Sequence, residues 1–149
     1  MAVIRDYRRT DDDAIVSVWE AASRVAHPFL TDEFIAGERI AIREMYLPNT
    51  TTYVAEDGRT VIGFASMMGD ELGAIFLDPS VHGQGVGRAL MDHAARGHAF
   101  VDVEVFERNA IGRAFYGRYG FQEVRKSTHE PTGETLIRMQ WRADGPATR

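Results

Sequence analysis

Residues 71–97 read Glu71-Leu-Gly-Ala-Ile-Phe-Leu77, Asp78-Pro79-Ser80-Val81, His82-Gly83-Gln84-Gly85-Val86-Gly87, and then Arg88 to Gly97. Ala74 to Leu77 is a short apolar run of strand length. Pro79 ends it, because proline cannot donate to a ladder and restricts the residue before it. Val86, Leu90 and Ala94 then recur at i, i+4 and i+8, which is a helical stripe. Between strand and helix stand Gly83, Gly85 and Gly87. Glycine permits positive φ and close backbone approach, so successive N–H groups can be turned toward one point. The first turn of the helix adds free N–H groups and the positive end of its dipole. The product is an anion cradle suited to a phosphate or pyrophosphate. A glycine-rich turn that binds nothing would carry the same residues.

Two phosphate motifs are excluded. A dinucleotide fingerprint needs G-x-G-x-x-G, whereas the spacing here is G-x-G-x-G. A P-loop needs Gly-Lys-Ser/Thr, and Gly87 is followed by Arg88-Ala89. The stretch resembles the acetyl-CoA pyrophosphate loop of the GNAT superfamily of N-acetyltransferases, Gln/Arg-x-x-Gly-x-Gly/Ala. Gly85 and Gly87 match its two glycines, and His82 departs from its Gln or Arg.

Downstream, Val101 to Phe106 alternates strictly, with Val101, Val103 and Val105 on one face and Asp102 and Glu104 on the other. A short helix follows from about Asn109 to Tyr119, and Gly120 ends it. Ile111, Phe115 and Tyr119 are spaced as its core stripe, while Asn109, Gly112 and Tyr116 share a different face. A glycine inside a helix costs ~1 kcal/mol against alanine. Gly112 therefore needs a reason, and close approach by a ligand is one. Asn109-x-x-Gly112-x-x-Phe115-Tyr116-x-x-x-Gly120-Phe121 resembles the second GNAT signature, N-x-x-A-x-x-F-Y-x-x-x-G-F, with Gly112 for alanine. The resemblance covers Leu72 to Val124. Phe121 to Lys126 reads as a sixth strand and Glu134 to Trp141 as a last one.

Upstream, Ala2 to Tyr7 alternates as a first strand. Thr10-Asp11-Asp12-Asp13 offers an N-cap and an acidic first turn to a helix running to about Val25. Thr31 can cap a second helix, which Pro48-Asn49 stops. Thr51 to Ala55 and Thr60 to Met68 form a hairpin around Asp57-Gly58. Three successive antiparallel strands before the central helix indicate an α+β domain. The resemblance refines this to a mixed, mostly antiparallel central sheet, splayed between strands 4 and 5 and flanked by helices. A single domain over 1–142 is expected, with 143–149 a flexible C-terminal tail.

The 149 residues, 44% hydrophobic and 26% charged, suit one globular domain. A net charge of −5 argues against a nucleic-acid partner and is compatible with a cationic acceptor. The absence of cysteine removes disulfides, thiolate metal sites and a cysteine nucleophile. Apart from His82 in the loop, the four histidines His27, His93, His98 and His129 show no metal-ligand spacing. No apolar run approaches a membrane span, and a cytoplasmic setting is expected. Monomer and homodimer both remain open.

The resemblance implies acetyl transfer from acetyl-CoA to a primary amine by direct attack in a ternary complex. Pyrophosphate would rest on His82, Gly83, Gln84, Gly85, Val86, Gly87 and Arg88. The pantetheine arm would pair with the main chain near Ile75 and Leu77 and with Asn109. Tyr116 would protonate the departing thiolate. Glu104 is the first candidate for general base, with Glu71 and His27 behind it. His27, Phe29, Phe34 and Tyr46 are candidate acceptor-pocket residues, with core packing as the competing reading. An acyl-CoA-binding module without catalysis, or a nucleotide- or phosphosugar-binding enzyme, would share some of these features.

Overall fold

The computed structural model describes residues 2–145. In chain order it contains β1 (Ala2–Asp6), α1 (Asp12–Ala26), α2 (Asp32–Ala41), β2 (Thr51–Asp57), β3 (Thr60–Met68) and β4 (Glu71–Leu77). There follow α3 (Val86–Ala95), β5 (Phe100–Phe106), α4 (Ala110–Tyr119), β6 (Gln122–Thr128) and β7 (Thr135–Arg142). The seven strands form one sheet in the order β1-β2-β3-β4-β5-β7-β6. Every neighbouring pair is antiparallel except β4–β5, which is parallel. The fold is thus the expected α+β sheet with helices on both faces.

Alternation along the strands sends apolar side chains to two cores. On one face Val101, Val103 and Val105 of β5 pack with Val86, Leu90, Met91 and Ala94 of α3 and with Tyr116 of α4. On the other, Val54 and Phe64 meet Ile15, Val18 and Trp19 of α1 and Ile35 of α2. The second helix runs from its Thr31 cap, whose hydroxyl accepts the Phe34 N–H at 3.1 Å, into a π-turn at Ile42–Tyr46. No helix among the described residues is long and apolar enough to cross a membrane.

Two expectations are corrected. Thr10 does not cap α1. A 3-10 turn at Arg9–Asp11 precedes the helix, and Asp11 faces inward because the Arg5 guanidinium grips its carboxylate at 2.9 and 3.0 Å. That pairing holds Asp11 below the usual carboxylate range. The stripe of α4 is rotated from the expected one: Ile111 is 44% exposed, whereas Tyr116 is 7% exposed. At the start of the expected tail, Ala143 donates its N–H to the Ala99 carbonyl at 2.9 Å. The rest of the expected tail, 146–149, lies outside the described residues.

Candidate active site

β4 and β5 pair only at Glu71↔Asp102 and Leu72↔Val103. Beyond that point the strands part. On its other side β4 stays paired with β3, where Met67 faces Leu72 and Ser66 faces Ala74, leaving Gly73 as the extra residue of a bulge. A bulge bends its strand and turns it away from a neighbour. The Asp78 N–H then bonds the Ile62 carbonyl at 2.8 Å. Because backbone groups alternate in direction, this parity turns the N–H and C=O of Ile75 and Leu77 toward the gap. A cavity of about 1030 Å³ runs through it from one face of the sheet to the other.

At the α3 end lies the glycine loop. Gly83 and Gly85 have φ of 80° and 83°, the left-handed region, and a Cβ added at either would meet nothing within 4 Å. Both are glycine for conformation, not for space. Gly87 differs: an added Cβ would sit 3.1 Å from Phe115 Cε1, so this glycine lets α3 approach α4. Among the described residues, the N–H groups from Gly83 to Arg88 donate to no carbonyl or side chain. A run of free amides on an open, concave loop at a helix N-terminus fits a pyrophosphate. His82 and Gln84 are exposed there, while the Val86 side chain faces the core. Arg88 stacks its guanidinium 5.4 Å from the Tyr119 ring centroid.

Across the gap, Asn109 caps α4, its Oδ1 accepting the Gly112 N–H at 2.8 Å. Its Nδ2 lies 3.0 Å from His27 Nε2. A Cβ on Gly112 would stand 2.5 Å from that Nδ2, so Gly112 makes room for Asn109 and not for an incoming ligand. Tyr116 lines the cavity one turn on, its ring edge-on to Phe115 and Phe121. Burial pushes its phenol above the ordinary tyrosine value, which keeps the O–H protonated.

On the α1–α2 face, Glu71, Asp102 and Glu104 surround Arg138. The guanidinium bonds Glu71 at 2.8 Å and Asp102 at 3.1 Å, but Glu104 only as an ion pair at 3.6 Å. Glu104 therefore keeps most of its lone pairs for other partners. His27, Phe34 and Tyr46 line the cavity. Phe29 does not. It packs behind Phe106, with ring centroids 5.4 Å apart and the Arg108 guanidinium 4.5 Å above it. His27 is 7% exposed, and burial lowers its pKa to about 4. Such a ring is a poor proton acceptor for an ammonium group, which sets aside the base role considered for it.

Sequence reasoning missed Glu38, Phe106 and His129, all of which line the cavity. Desolvation raises the Glu38 carboxyl and, together with Glu38 itself, the Tyr46 phenol. Phe106 was legible as the next residue on the Asp102–Glu104 face of β5. Glu38 looks like any other solvated helix position.

A family model described as an acetyltransferase (GNAT) domain matches residues 48–123. The peptidyl-lysine N-acetyltransferase YjaB of Escherichia coli is 30% identical over 132 residues, 88% of this chain and 89% of that protein. The peptidyl-lysine N-acetyltransferase YiaC of the same species is 29% identical over 140 residues, 93% and 96% of the two chains. The solution structure of apo-form YjaB gives a TM-score of 0.84 at 28% identity, covering 94% of this chain and 97% of that one. The matched segment runs from the approach to β2 into β6 and so contains the gap, the glycine loop and α4. This chain belongs to the GNAT acetyltransferases, enzymes that take acetyl-CoA as cosubstrate.

Proposed function

We propose that this enzyme acetylates the ε-amine of lysine in a peptide or protein. The observation that carries the reading is the pair Glu71 and Glu104 on the cavity wall, which with Asp102 set three carboxylates around the one guanidinium of Arg138. Such a wall attracts an ammonium group into a cleft. Both curated relatives described above are peptidyl-lysine N-acetyltransferases, which supports the same acceptor. A cytoplasmic setting belongs to this reading, and the net charge of −5 supports a cationic protein partner in place of a nucleic acid.

The pyrophosphate of acetyl-CoA is read as held by the amides of Gly83 to Arg88, with the arm beside Ile75 and Leu77. A lysine amine has a pKa of ~10.4, so about one molecule in 2,500 is neutral at pH 7. Glu104, the carboxylate least committed to Arg138, accepts the ammonium proton directly or through water. The neutral amine attacks the thioester carbonyl without an acyl-enzyme stage. Tyr116 donates its proton to the departing thiolate. The thiol product, with a pKa of ~8.5, is more acidic than a buried phenol, so the phenolate does not persist: it regains its proton from the nitrogen of the collapsing intermediate, which must lose one to become the amide.

The test is thiol release with acetyl-CoA and a panel of acceptors: N-terminally blocked lysine peptides, peptides with only an α-amine, and small amines. Blocked lysine peptides should be the best acceptors and gain one acetyl by mass. Glu104→Gln should lower kcat ~100-fold at pH 7 and recover as pH rises toward the lysine pKa. Turnover confined to α-amines or small amines would overturn the acceptor.

A further inference from the structure

The acceptor side of the cavity holds a carboxylate that the ion pairs of the fold leave unused. Phe34, Glu38 and Ile42 are four residues apart, so they share one face of α2 and of the π-turn that continues it. All three line the cavity, as does Tyr46 at the end of that turn. The cations of this region are committed elsewhere. Arg39 and Arg43 of the same segment reach across to Glu20 and Asp13, and Arg24 of α1 binds Glu20 and Asp32. Arg138 is taken by Glu71 and Asp102. His129, which packs edge-on to Phe34, bonds Thr132 at 2.8 Å. Among the described residues, the arginines that line the cavity are Arg88 and Arg118, which belong to α3 and α4 on the opposite side of the gap.

Glu38 makes no hydrogen bond or ion pair among the described residues, and burial alone raises its carboxyl. A carboxylate partly removed from water without a cation is destabilising, and a bound cation relieves it. That cation is not the amine under attack. Glu38 stands apart from the cluster of Glu71, Asp102 and Glu104, since Arg138 has no influence on it, and the phenol it acts on is that of Tyr46. Tyr46 is 43% exposed, whereas Tyr116 at the reacting end is 7% exposed. Two separate acidic places in one cavity match two positive charges on one acceptor. Tyr46 adds an aromatic face, the other kind of surface that attracts a cation. A carboxylate and a ring together favour a guanidinium, which pairs with the first and stacks on the second.

We propose that Glu38 is a specificity-determining residue that binds a second cationic group of the acceptor, an arginine near the lysine being acetylated, with Tyr46 beside it. The inference rests on the reading of the acceptor as a lysine peptide.

The test uses N-terminally blocked peptides with one lysine, in which arginine or its uncharged analogue citrulline is placed at each position around that lysine. At the best position kcat/KM should be about fivefold higher for arginine than for citrulline, the worth of one partly exposed ion pair. Glu38→Gln removes the charge and no bond that holds the fold together, and calorimetry with acetyl-CoA checks that the variant is folded. In that variant the arginine and citrulline peptides should differ by less than about twofold. Absence of an arginine preference at every position in the wild type would overturn the proposal. So would a preference that Glu38→Gln leaves intact, including an equal loss on both peptides. If no lysine peptide is turned over, the lysine assignment fails by itself. The cation site is then tested with a linear diamine against the monoamine of equal length, and equal kcat/KM for the two overturns it.

Discussion

The two sides of the β4–β5 gap are made of different material. On the α3–α4 side the site is mostly peptide backbone: the free amides of Gly83 to Arg88 and the main-chain edge at Ile75 and Leu77. On the α1–α2 side it is mostly side chains: Glu71 and Glu104 beside Arg138, with Phe34, Tyr46 and His27. A backbone site depends on conformation and tolerates most changes of side chain. A side-chain site depends on identity, and a few substitutions alter what it accepts. Tyr116, buried on α4, lines the cavity between the two.

Substitutions should separate these two kinds of site. Tyr116→Phe keeps the ring contacts with Phe115 and Phe121 and removes only the hydroxyl, the proposed proton donor. Its kcat should fall ~10²-fold or more, with acetyl-CoA affinity by calorimetry almost unmoved. Next comes a stability effect on the acceptor side. His27 is neutral in the fold with a pKa near 4, against 6.5 when unfolded. Falling pH therefore protonates the unfolded chain first. Stability is whole above about 6.5, declines as pH drops from 6.5 to 4, and levels off below. The full contribution is about 3 kcal/mol, and urea melts at pH 7 and pH 4.5 should show it shrinking in His27→Phe.

Smaller effects belong to the cradle. Gly85 has open space around it but a φ of 83°, so Gly85→Val fails through conformation alone. A strain of about 2 kcal/mol predicts acetyl-CoA binding weakened ~30-fold in calorimetry. His82→Ala, which removes an exposed side chain from the same loop, should weaken binding less than ~3-fold. If His82→Ala were the worse of the two, the loop would be a side-chain site after all.

Legibility in the sequence follows the same division. The cradle could be read because positive φ restricts residue choice, so Gly83 and Gly85 announce the conformation they adopt. Asn109 could be read as the start of α4 because capping also restricts residue choice. The splay of β4 from β5 came only from the family resemblance, since alternation in β5 is the same whether or not its neighbour leaves. Its local cause, the bulge at Gly73, is invisible without the register of β3. Ile111 was misplaced because its spacing with Phe115 and Tyr119 defines a stripe but not which stripe meets the sheet. Phe29 was misplaced because an aromatic in a loop reads the same whether it lines a cavity or backs one. The N-cap at Thr10 failed because Arg5, far from the helix axis, drew Asp11 inward.

The central claim is that acetyl-CoA enters along bare backbone on one side of the gap. Backbone ¹H–¹⁵N spectra recorded during titration with acetyl-CoA test it most directly. The account predicts saturable shifts at the amides of Ile75, Leu77 and Gly83 to Arg88, with β1 and the β1-facing edge of β2 unmoved. Saturable binding that left the Gly83–Arg88 amides unchanged would contradict it.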